Sequence, residues 1–174
     1  MTNIPLMVDG FMTDIERFAQ ANDFDILIKG GVVVDGSGGP RFDADVAIRG
    51  DRIVFVGNVP SDATADKIIN ATGRVVAPGF IDPHTHYDAQ ICWDGAVTPS
   101  SWHGVTTVVM GNCGVGFAPA EPSRHDWLIG LMEGVEDIPG TALAEGITWE
   151  WESFPEYLDA IEKTPHAIDF GAQV

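Results

Sequence analysis

The hydrophobic pattern of this chain changes its period near Gly79, and that change limits the folds open to it. From Phe24 onward, short β-rich runs are broken by glycine: FDILIKGGVVVDGSGGP, then DADVAIRGDRIVFVGNVP, then KIINATGRVVAPG. Apolar and polar residues alternate in Asp45-Val46-Ala47-Ile48 and in Ile53-Val54-Phe55-Val56. The four residues between, Arg49-Gly50-Asp51-Arg52, predict a tight hairpin. A small antiparallel β unit ending near Gly79 is the expectation. Past His86 the pattern becomes strand and helix in alternation. GVTTVVMGNCG has a β-branched centre closed by Gly and Asn, which suits a buried parallel strand and its exit turn.

A helix is predicted over about Ser123 to Glu133, with Trp127, Leu128, Leu131 and Met132 forming one apolar face. The acidic, Gly-rich GVEDIPGTALAEGIT then reads as a solvated loop. Ser153-Phe154-Pro155-Glu156 has the form of a capping box with Pro in the first turn, and Pro165 stops the helix it begins. The final AIDFGAQV reads as a third buried strand. Residues 1–22 are an extension in which Asp14, Ile15, Phe18 and Ala19 suggest a short helix. A β unit followed by strand–helix repeats predicts an α/β layer or barrel. Eight such units typically need about 250 residues, and three parallel strands cannot close a barrel. A fragment or truncated product is therefore expected.

Composition narrows the function classes. With 174 residues, 45% of them hydrophobic, the chain can bury a sizeable core. Its 9 Lys+Arg against 26 Asp+Glu give a net charge of -17, which argues against a phosphate-binding surface and hence against nucleic acid as a partner. Cys92 and Cys113 are too few for a disulfide framework, and the N-terminus carries no signal-peptide pattern. No segment approaches the roughly 20 apolar residues of a membrane span. A reduced, cytoplasmic protein with no membrane partner is the expectation.

The chemistry concentrates in VAPGFIDPHTH, Val76 to His86. Read as a buried strand, this run projects His84 and His86 to one side, because residues at i and i+2 of a strand share a face. Two imidazoles so placed suit one metal ion, although strand-end histidines bonded to backbone remain an alternative. Cys113, in the turn after the second strand, would lie at the same end of a parallel sheet. Zn2+ takes imidazole nitrogen and thiolate sulfur together, so two His and one Cys form a partial ligand set. Cys113 could instead pack as a small apolar side chain, or act as a nucleophile with a His base. Asp82 suits a carboxylate that orients a metal-bound imidazole, or a plain strand-end residue. Cys92 reads as a packing residue; His103 and His125 read as surface or packing residues.

GGVVVDGSGGP, the DVAIRGDRIVFVG hairpin, VVAPGFIDPHTH and SWHGVTTVVMGNCGVGFAPA together resemble the N-terminal part of metal-dependent amidohydrolases. The likeness is greatest to the D-aminoacylase (N-acyl-D-amino-acid deacylase) branch, and it runs from about Phe24 to the end. It implies a small antiparallel β-sandwich domain over residues 23–79, then, over residues 80–174, the first strands and helices of a TIM (β/α)8-type barrel that is incomplete in this chain. It implies that His84 and His86 bind metal at the end of the first barrel strand, and that Cys113 matches the cysteine this branch uses to bridge two metal positions. One or two Zn2+ ions are the implied cofactor. The implied reaction is hydrolysis of an N-acyl-D-amino acid or related amide by a metal-activated water, with the general-base aspartate beyond Val174. The chain alone is then expected to be inactive, and its partner would be the remainder of the barrel or another copy of itself. A hydantoinase- or dihydroorotase-like enzyme acting on cyclic amides, with Cys113 merely structural, is the alternative; an inactive metal-binding fragment is another.

Overall fold

The first unit is built around one long strand, β1 (Asp23–Val33). In the computed structural model, which describes residues 23–174, it belongs to the first of two compact units, residues 23–78 and Gly79–Val174. The helix expected near Asp14 lies outside the described residues. β2 (Phe42–Arg49) runs antiparallel to β1, and β3 (Arg52–Gly57) returns antiparallel to β2 through the Gly50-Asp51 turn, where the alternation places the hairpin. β4 (Thr64–Asn70) and β5 (Val75–Val76) then lie on the other edge of β1, and both run parallel to it.

The unit is therefore one mixed five-stranded sheet among the described residues, where the sequence led us to expect an antiparallel β-sandwich. The difference comes from the segment 58–63, which crosses to the far edge of β1 instead of turning back beside β3. Asp45 on β2 anchors that departure. Its carboxylate accepts the Gly30 N–H at 2.7 Å and the Val59 N–H at 3.2 Å, tying β1 and the start of the crossing to one side chain. Adjacent strand residues point to opposite faces, so Val46 and Ala47 serve two separate clusters. Val33, Ala44 and Val46 form one, and Phe24, Leu27, Ala47 and Ala63 the other.

The second unit carries a parallel sheet of β6 (Phe80–Thr85), β7 (Val105–Met110) and β8 (Asp169–Ala172), in that order. The connection from β6 to β7 contains only the 3-10 turns Gln90–Cys92 and Ser100–His103. The connection from β7 to β8 carries α1 (His125–Glu136), α2 (Gly140–Gly146) and α3 (Phe154–Glu162). Val108 and Met110 of β7 are fully buried in a core shared with Ile91, Phe117, Met132 and Tyr157. The α3 capping box forms as its four residues specify, with the Ser153 N–H donating to Glu156 at 2.8 Å. No helix among the described residues is long and apolar enough to cross a membrane.

Four expectations about this unit need correction. The run from Val76 to His86 is not one buried strand: Val76 closes β5, Pro78 and Gly79 interrupt, and β6 leaves Phe80 and Ile81 each 67% exposed. Among the described residues β6 has a strand neighbour on one side only, and β8, expected as a buried strand, is only half-buried. The acidic stretch after Glu133 is not loop throughout. α1 continues to Glu136, and α2 forms because Leu143 drops fully into the core with Ile147 beside it. On α1 the buried stripe is Leu128, Ile129 and Met132, while Trp127 and Leu131 face outward at 59% and 41% exposure.

Candidate metal centre

Both segments that carry the candidate ligands leave the same end of the parallel sheet. β6 supplies His84 just before its end and His86 just beyond it; β7 runs out into the Gly111-Asn112-Cys113-Gly114 turn. The pairing of β6 with β7 is irregular between Asp82 and Thr85, where Pro83 has no N–H to give the ladder. An edge strand tolerates such a break. The two imidazoles come out nearly parallel, 6° apart with ring centroids separated by 5.6 Å.

The structure brings the three residues together: one ligand atom from each of His84, His86 and Cys113 lies within 4.8 Å of the others. Donors on a tetrahedral Zn2+ with bonds of 2.0–2.3 Å stand about 3.5 Å apart, so side-chain rotations of about 1 Å would bring these to bonding distance. Both histidines are exposed and Cys113 is half-buried, which leaves their donor atoms accessible. The Cys113 thiol donates only a long bond, 3.5 Å, to the Val115 carbonyl.

Three links hold the His segment to the Cys segment. Asn112 Nδ2 donates to the Pro83 carbonyl at 3.0 Å, and Thr85 Oγ1 donates to the Val109 carbonyl at 2.9 Å. The third is the Gly111 N–H, which bonds to the carboxylate of Asp88. Asp82 serves the backbone: its Oδ1 accepts the N–H of His84 at 3.2 Å. His103 stands apart from the cluster, and His125 stacks on Trp149 with centroids 3.7 Å apart.

Asp88 is the feature that sequence reasoning missed. It is 3% exposed; among the described residues it is one of only two buried polar residues, and its Oδ2 has no hydrogen-bond partner there. Burial pushes its carboxyl up to about 6, against the opposing pull of its own and Gly111's N–H groups and of His86. A buried acceptor left unmatched costs roughly 1–3 kcal/mol. The signal was available, since Asp88 continues the His84, His86 spacing by another two residues. Burial, helped by the Asp88 charge, also pushes the Cys92 thiol up to about 12, in keeping with a packing role.

Comparison with known proteins shows what the chain as a whole is similar to. Residues 67–173 match the model of a family described as "Amidohydrolase family". The chain is 40% identical over 156 residues to the D-aminoacylase of Alcaligenes xylosoxydans xylosoxydans, covering 90% of this chain and 30% of that protein. A crystal structure of D-aminoacylase superposes with a TM-score of 0.68 at 38% identity, over 87% of this chain and 29% of that one. The N-acyl-D-glutamate deacylase of Bordetella bronchiseptica, solved with zinc and a phosphonate mimic of the tetrahedral intermediate, superposes at 0.62 with 33% identity, over 87% and 29% of the two chains. This chain thus spans under a third of the relatives it matches.

Proposed function

From the premise that this chain belongs to the amidohydrolase family, we propose that it is the N-terminal part of a zinc-dependent N-acyl-D-amino-acid deacylase, with His84, His86 and Cys113 as metal ligands. The observation that carries this reading is the clustering of those three donors within 4.8 Å at one end of a parallel sheet. Residues 23–79 are the N-terminal share of a small β domain, and residues 80–174 the opening strands and helices of a (β/α)8-type barrel. Such barrels place their active sites at the C-terminal ends of the strands, the end from which both ligand segments leave.

The donor set fits the ion. Two neutral imidazoles and one thiolate leave a single Zn2+ with a net charge of +1. A bound Zn2+ supplies Lewis-acid polarisation of the amide carbonyl and a lowered pKa for water. The residues of this chain do the rest of what can be read here. His84 and His86 present their rings side by side. Asp82 holds the His84 backbone, and Asn112 holds the turn that presents Cys113. Cys113 would bind as a thiolate, releasing its proton as the ion enters. The aspartate that accepts the water proton and passes it to the leaving amine is expected beyond Val174.

The test is made on the full-length protein that carries this sequence. Cys113→Ala, His84→Ala and His86→Ala should each lower bound zinc and cut hydrolysis of an N-acetyl-D-amino acid by about 100-fold or more. Cys92→Ala should leave both near the parent level. Full zinc occupancy in Cys113→Ala would refute the ligand assignment and with it the D-aminoacylase reading.

A further inference from the structure

We infer that Asp88 is a positioning residue that sets the spacing between the His86 arm and the Cys113 arm of the metal centre. The inference rests on the ligand assignment proposed above. Asp88 lies two residues after His86, and its carboxylate receives the N–H of Gly111, two residues before Cys113. One buried side chain therefore bridges the two segments close to both ligands. Asp88 stands outside the cluster of ligand atoms, so it acts through them.

Its surroundings hold it in place from three further directions. The Tyr157 hydroxyl of α3 donates to the Asp88 backbone carbonyl at 2.8 Å, in a buried bond. Beyond Cys113 the chain returns against the same carboxylate: a Cβ on Gly116 would sit 3.0 Å from Asp88 Oδ1. Cys92 packs close enough to feel its charge. A buried carboxylate with an unmatched oxygen is a poor choice for packing alone, because an apolar side chain would carry no such cost. A carboxylate beside a metal-binding imidazole, by contrast, orients the ring and strengthens it as a donor. His86 already lies within the electrostatic reach of Asp88.

The experiment uses Co2+ in place of zinc in the full-length protein, so that the thiolate-to-metal charge-transfer band reports the Cys113 bond directly. Cys113→Ser must abolish that band in the parent; a parent with no such band overturns the ligand assignment and this inference with it. Given the band, Asp88→Ala should weaken Co2+ binding by about 10- to 100-fold and alter the ligand-field spectrum. Asp88→Asn, which keeps an oxygen to accept the Gly111 N–H, should recover part of both. Leu143→Ala is the control for stability alone: it should lower the unfolding midpoint and leave the spectrum as in the parent. Should Asp88→Ala fail to fold, Asp88→Asn decides. A parental spectrum and affinity in Asp88→Asn and in any folded Asp88→Ala would overturn the positioning role while leaving the ligand assignment intact. A loss no greater than that of Leu143→Ala would do the same.

Discussion

Two glycines flank Cys113, and replacing each by alanine should give different losses. Gly111 and Gly114 both hold left-handed backbone, with φ of 78° and 86°. An L side chain in that region costs roughly 1–2 kcal/mol. At Gly114 that is the whole penalty, because an added Cβ meets nothing within 4 Å. At Gly111 the Cβ would stand 2.4 Å from the Gln173 carbonyl oxygen, where ordinary contact begins at 3.4 Å. The backbone after β8 must then retreat by about 1 Å, drawing the exposed Gln173 away from the end of β7. The bond it strains is the Gln173 N–H to Met110 carbonyl at 2.9 Å. Overpacking of this kind costs about 1–3 kcal/mol and a lost hydrogen bond about 1. Gly111→Ala should therefore be destabilised by about 3–6 kcal/mol and Gly114→Ala by about 1–2. Urea unfolding followed by tryptophan fluorescence measures both, with equal m-values as the check that only stability has changed. Equal losses in the two variants would refute the steric argument, since strain alone would then explain both.

Hydrogen bonds from the Ser153 and Glu152 N–H groups and the Ser153 hydroxyl hold the Glu156 carboxyl below its usual value of 4.5. That stabilisation is present above the unfolded value and is lost as pH falls through the folded one, so acid unfolding below about pH 4.5 should be shallower in Glu156→Gln. The Cys92 thiol, pushed up to about 12, stays protonated at pH 8. Iodoacetamide should then label Cys113 well before Cys92, and zinc should protect Cys113 alone; peptide mass spectrometry showing comparable labelling without zinc would contradict this.

What could be read from the sequence was what neighbours along the chain decide. The β2–β3 hairpin needs only local alternation and two turn residues, and the capping box needs only Ser153 and Glu156 three apart. The side-by-side placement of His84 and His86 needs only the strand period. Elements that depend on distant partners were not legible. β4 lies parallel to β1 because the carboxylate of Asp45 fastens the start of a crossing segment, and nothing in NVPSDA announces that. α2 exists because Leu143 finds a place in the core, although Gly140 and Gly146 at its ends read as breakers. The exposure of Phe80 and Ile81 reflects an edge position in the sheet, which an apolar pattern cannot convey.

Asp88 joins these two kinds of information. Its spacing from His84 and His86 is local, yet its burial is tertiary, produced by Tyr157 from α3, by the Gly111 N–H and by the glycine at position 116. Gly116 is small where the Asp88 carboxylate lies against it, and Gly111 is small where the backbone of Gln173 does. A side chain at position 116 would press on Asp88, whereas one at position 111 would press on Gln173. The glycine at position 116 thus makes room for a carboxylate that packing alone would not retain. Sequence around a metal centre is shaped by the groups that hold the ligands as much as by the ligands themselves.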